Sequence, residues 1–170
     1  YYPTRRLEAE SIRDALLAVS GRFDPQLYGR PILPARPAED GAKRLFSGPL
    51  DGNGRRSIYL QMSIMQPPSF LVGFNLPELK LPSGKRDVTN VPTQALILMN
   101  DPFVNAMARH WATEMLKQPA SRESRLCSMF TRAFAREPSD AEMHRWLSAL
   151  DDFGGAKPDA WERIAHAIFN

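Results

Sequence analysis

A carboxylate on the apolar face of a helix is the kind of residue that can do chemistry, and Glu8 is placed there by spacing. Ile12, Ala15, Leu16 and Val19 recur at i, i+3, i+4 and i+7, and four residues back along that stripe stands Glu8. A carboxylate in such a place must be paired, protonated or beside a wet cavity. It can then serve as a general acid or base, or it can complement the positive end of its helix. Arg6, Glu10 and Arg13 fall on the neighbouring face, within reach of i,i+3 and i,i+4 ion pairs. The spacing predicts a Glu8 carboxylate at least partly buried against Arg6, Arg13 or another arginine. Asp14 and Asp101 are the other carboxylates that a cleft would use. Asn90, Thr93 and Gln94, then Asn100 and Asp101, bracket a very apolar segment. Polar groups so placed satisfy the free N–H and C=O groups at helix ends, or else line a ligand site. The candidate binding residues are therefore Glu8, Arg13, Asp14, Gln94 and Asp101.

Other chemistries lack their residues. His110, His144 and His166 fall on three separate predicted helices without metal-ligand spacing, so no metal site is expected. Cys127 is the single cysteine and cannot form an internal disulfide, a CxxC pair or a haem attachment. There is no G-x-S-x-G nucleophile elbow and no phosphate-binding loop. Asp51-Gly52-Asn53-Gly54 has a trace of calcium-ligand spacing but no distal Glu, and reads as a turn. No catalytic residue and no cofactor in this chain are expected. The 22 basic and 19 acidic residues leave a charge of +3, with the basic residues scattered, so nucleic acid is not an expected partner. No apolar run reaches the roughly 18 residues of a membrane span.

The elements that position these residues are helices. Residues 5–20 read as a helix with Thr4 as N-cap and Gly21 as its stop. Residues 22–56 hold five prolines and five glycines and keep neither period. They read as a long irregular connection with room for partial disorder. Residues 57–62 suggest a short strand, and residues 70–74 are apolar enough to pack on a core. From Pro92 the pattern is helical. Residues 95–99 are apolar all round, as in a buried helix. Asn100, Asp101 and Pro102 are structural, a break and restart with Asp101 as N-cap and Pro102 at the first helical position. Ser121 begins another helix. Ser139 and Glu142 form a capping box for the next, and Gly154-Gly155 ends it. Asp159 and Glu162 suggest the same logic for a last helix. Trp111, Trp146 and Trp161 all lie on apolar helix faces. The expected fold is mainly α, one helical domain over residues 1–170, an irregular bundle of about five to six short helices with at most one or two short strands.

Several blocks together carry a resemblance. They are Arg5-Arg6-Leu7-Glu8-Ala9-Glu10 with the helix after it, Arg56-Ser57-Ile58-Tyr59-Leu60, the run from Asn90-Val91-Pro92-Thr93-Gln94 to Asn100-Asp101-Pro102-Phe103, Arg136 to Glu142, and the closing Ala165 to Asn170. They resemble the planctomycete-type, cytochrome-c-associated C-terminal domain of unknown function, the PSD-one type. The resemblance implies the C-terminal portion of a large exported protein, periplasmic or at the cell surface. It also implies that any haem belongs to a preceding domain, and it carries over no catalytic residue. The expected function is a non-catalytic interaction or scaffold module whose partners are other domains of the same polypeptide and other exported proteins. The alternatives are an enzyme or enzyme subunit acting on extracellular polysaccharide or in electron transfer, and a carbohydrate-binding module using exposed aromatic rings.

Overall fold

The buried row of the first helix is Ala9, Arg13, Leu16, Leu17 and Ser20, and it packs on residues 57–59, on residues 69–73 and on the start of the helix that follows Asp101. In the computed structural model, which describes residues 5–36, 46–117, 119–155 and 157–170, the elements are helices α1 (Ala9–Ser20), α2 (Ser69–Gly73), α3 (Pro92–Asn100), α4 (Pro102–Lys117), α5 (Arg122–Phe134), α6 (Asp140–Asp152) and α7 (Pro158–Phe169). The fold is mainly α, as its pattern predicts. The seven helices exceed the expected five to six because residues 69–73 complete a short helix. Two isolated parallel bridges, Asp24 to Arg55 and Ile32 to Leu60, stand in place of strands among the described residues.

Two apolar clusters form the interior. One is built by α1, α2, Leu60 and the first half of α4, around Leu17, Leu71, Phe103 and Val104. The other is built by the second half of α4 with α5, α6 and α7, around Trp111, Leu126, Met129, Leu150 and Trp161. Helix α4 thus has one end in each. Phe169 at the end of α7 touches both clusters and stacks on Trp111 at a ring separation of 5.3 Å. Burying aromatic rings on this scale supplies much of the apolar driving force.

Helix starts follow local chemistry. Asp101 Oδ1 accepts from Phe103 N at 2.8 Å, with Pro102 opening α4. Ser121 Oγ accepts from Ser124 N at 3.2 Å. At α6, Ser139 Oγ accepts from Glu142 N while Glu142 Oε2 accepts from Ser139 N at 2.8 Å, which is the reciprocal capping box. Helix α7 differs from expectation. It starts two residues earlier, with Lys157 at the cap position, Pro158 following and no side-chain cap. Glu162 is drawn to Arg109 of α4 instead, at 3.1 and 3.2 Å. Thr4, the expected cap of α1, lies outside the described residues, and α1 begins at Ala9.

The proline-rich connection is irregular where it is described, and residues 37–45 of it lie outside the described residues. Its N-terminal part runs along residues 54–61, held by bonds from Asp24 N to Gly54 O, Ile32 N to Tyr59 O and Gln61 N to Ile32 O, all 2.8–2.9 Å. The expected strand at 57–62 is a single 3₁₀ turn over Ser57–Tyr59. Ser57 N is taken by Asp14 Oδ1 at 2.8 Å, so it has no ladder to join. Gly52, Asn53 and Gly54 all have positive φ (61°, 54° and 77°), a run that glycine makes affordable. A Cβ on Gly54 would lie 1.9 Å from the Arg22 carbonyl, whereas one on Gly84 would meet nothing within 4 Å.

Two outcomes follow. Gly54→Ala should destabilise by about 2 kcal/mol or more, while Gly84→Ala stays within about 0.5 kcal/mol in denaturant unfolding. Arg136, followed by the Ser139 N–H and hydroxyl, holds the Glu142 carboxyl well below its ordinary value of 4.5. A depressed folded-state pKa stabilises above the unfolded value and is lost as pH falls through the folded one. The melting-temperature gap between wild type and Glu142→Gln should therefore be full at neutral pH and close progressively below pH 4.5.

Candidate functional site

Arg13 is the most enclosed charge of the site. Its position on the buried row of α1 sends the guanidinium between the 51–57 turn and α4. Nη1 donates to the Arg55 carbonyl at 2.9 Å and to Ser57 Oγ at 3.2 Å, and Nη2 donates to the Asp51 carbonyl at 2.7 Å. The group also lies 5.4 Å from the centre of the Phe103 ring, at the start of α4. Asp14 Oδ1 is 3.6 Å from Arg13 Nη1 and accepts from both Ser57 N and Ser57 Oγ, at 2.8 and 2.7 Å. Burial lowers the Arg13 pKa, and Asp14 and Asp51 oppose that shift. Three bonds from Nη1 and Nη2 to protein acceptors offset the burial of this guanidinium.

Arg13 and Asp101 face one cavity of about 360 Å³, between the start of α4, helix α2 and residues 34–36 and 49–52 of the proline-rich connection. Its wall is largely apolar, with Leu60, Phe70, Leu71 and Phe103 among the lining residues, and Arg36 is its third charged member. Burial raises the Asp101 carboxyl above its ordinary range, against the pull of the Phe103 and Val104 amides. Asp14 stays behind Arg13, in a separate shallow depression with Arg56. Gln94 and the structural Asn100 lie elsewhere. Gln94 is buried and fastens α3, donating to the Gly73 carbonyl at 3.2 Å and accepting from Val91 N at 3.4 Å. Asn100 turns back to the Leu96 carbonyl at 2.8 Å.

Glu8 corrects the sequence reading. Its side chain is 62% exposed and meets Arg86 at 3.4 Å, not Arg6 or Arg13. The stripe does not extend to it because Glu8 is the residue before the helix, in extended conformation, and the buried row runs through Ala9 and Arg13 instead. The expected Arg6–Glu10–Arg13 ladder is likewise replaced by long-range partners. Glu10 takes a two-point bond from Arg86 at 2.7 and 3.1 Å, and Arg6 donates to Asn90 at 3.0 Å. Arg36 and Ser57 escaped the sequence reading altogether. Neither carries a local signal, since each acts on residues 30 or more positions away. Among the described residues, no group of three His, Cys, Asp or Glu side chains is arranged to hold a metal ion.

These geometries separate the two residues sharply. Arg13→Met should cost about 3 kcal/mol, since it strands two carbonyls, Ser57 and Asp14. Glu8→Ala should cost less than about 1 kcal/mol, as expected of an exposed ion pair. Chemical denaturation of both variants beside wild type measures the contrast.

The chain was compared with known proteins. No curated protein and no solved structure matches it. The family model PSD1, described as a protein of unknown function (DUF1553), matches residues 1–150. That match spans α1 to α5, the Arg13 cluster, the whole lining of the cavity and most of α6, and the chain accordingly belongs to the PSD1 family of proteins of unknown function.

Proposed function

We propose that this chain is a non-catalytic interaction module of an exported multidomain protein, docking onto neighbouring domains of its own polypeptide through the outer face of α3. The observation that supports the reading is the exposure of a helix whose composition suits an interior. Leu96 and Met99 are 55% and 53% exposed, and Gln94 is the buried residue of α3. Val88 and Val91, just before the helix, are exposed as well. Apolar side chains held open together mark a surface that meets another surface.

The sequence reading of residues 95–99 as buried is corrected by this arrangement. One side of α3 meets α2 and α4, and its other side has no cover among the described residues. The enzyme alternative calls for two carboxylates in one cleft with pKa values pushed apart. Among the described residues Asp101 is the one carboxylate of the cavity lining, and Glu8 is not part of that lining. The carbohydrate alternative calls for several open tryptophan or tyrosine rings; Trp111 and Trp161 are fully buried, and among the described residues Tyr28 is the one exposed tyrosine. Export, and a haem-bearing domain earlier in the same polypeptide, belong to this proposal through the family resemblance.

Hydrogen–deuterium exchange over residues 88–100 tests the reading, measured in this chain alone and in the longer polypeptide. Protection gained in the longer polypeptide, and lost in a Leu96→Glu, Met99→Glu variant of unchanged melting temperature, is the expected result. Identical exchange in both settings would remove the proposal. The purified chain should also show no Soret band and no stoichiometric metal by elemental analysis.

A further inference from the structure

The cavity between α2, α4 and the proline-rich connection contains one charge that the protein does not use up. Its volume of about 360 Å³ lies within the range of small-molecule sites, and an apolar wall interrupted by a few polar groups is their usual make-up. Of its three charged residues among those described, Arg13 is committed to the Asp51 and Arg55 carbonyls and Ser57. Asp101 is committed to the first turn of α4. Arg36 is different. Its Nη1 donates to the Gln66 carbonyl at 2.5 Å, but its Nε is closed off from solvent and has no acceptor. Among the described residues no carboxylate pairs with it.

A shielded donor without an acceptor is costly, and the Nε of the half-buried Arg36 is one. An occupant of the cavity that draws the flexible side chain inward supplies the missing acceptor. The contact with Gln66 uses Nη1, and the Nε side of the fork, shielded in this rotamer, has no hydrogen-bond partner and would meet the occupant once the side chain swings inward. That side offers parallel N–H groups in the spacing of a carboxylate's two oxygens.

We propose that this cavity binds a small organic carboxylate, its acid group on Arg36 and its apolar body against Leu60, Phe70, Leu71 and Phe103. Asp101 orients such a ligand by repulsion, keeping the acid group at the Arg36 end. This assignment is independent of α3, whose exposed face is a separate surface.

Calorimetry and NMR titration of the whole chain with phenylacetate and with its neutral analogue 2-phenylethanol test the assignment. Phenylacetate should shift the Leu60, Leu71, Phe70 and Phe103 resonances and bind roughly tenfold tighter than 2-phenylethanol. Arg36→Gln should abolish that preference while leaving 2-phenylethanol unaffected. Asp101→Asn keeps a capping side chain and should strengthen phenylacetate binding by several fold, a gain that a merely structural Asp101 would not give. Equal binding of the two probes by wild type, no shift of these resonances at millimolar phenylacetate, or an unaltered preference in a folded Arg36→Gln variant would each overturn the assignment.

Discussion

The buried guanidinium of Arg13 is the constraint on which the N-terminal half depends. Its donors reach the carbonyls of Asp51 and Arg55 and the hydroxyl of Ser57, while its face rests on Phe103. One side chain therefore fixes α1, the glycine turn and the start of α4 relative to one another. The backbone carbonyls of an irregular segment have no ladder to satisfy them, and a buried arginine is among the few groups able to serve several at once. The left-handed run at Gly52, Asn53 and Gly54 is the geometric counterpart, turning the chain so that the Asp51 and Arg55 carbonyls point the same way. Arg22 reinforces the turn from outside through the Asp51 carboxylate.

The cavity arises from the same arrangement. Irregular segments rich in proline cannot close over a helix pair as densely as another helix would, because their side chains are short and their φ angles fixed. Pro34, Pro49 and Pro68 all line the opening, opposite Phe70 and Phe103. The C-terminal helices show the contrary case. There α4, α5, α6 and α7 interlock around two fully buried tryptophans.

What was legible in the sequence was local. The caps at Asp101, Ser121 and Ser139 each join residues two or three positions apart, and type and spacing suffice to read them. Gly21 and Gly154-Gly155 end their helices in the left-handed region for the same reason. Arg13 was legible as a candidate but not as a clasp, because its acceptors lie 38–44 residues onward and two of them are backbone carbonyls that carry no residue signature. The Glu8 error came from extending a helical period past the first turn, where the backbone is no longer helical. The reading of α3 failed differently. Composition reports how apolar a segment is, and only tertiary packing decides whether something covers it. Arg36 gave no signal, since its neighbours in space come from α2, α4 and residues 60 and 66.

The double membership of α4 in the two apolar clusters also has a temporal side. Its second half packs on helices that follow it within about fifty residues, by short connections, whereas its first half awaits α1 across the whole proline-rich segment. Closing short loops costs less chain entropy than closing long ones. The helices after residue 100 are thus expected to assemble first, presenting the front of α4 as a template. Helix α1 then docks, and the connection between them is drawn in last by Arg13, an order that φ-values at Met129 and Leu17 would display as high and low respectively. Nucleation at one end of a shared helix makes the other end the natural place for late, local opening.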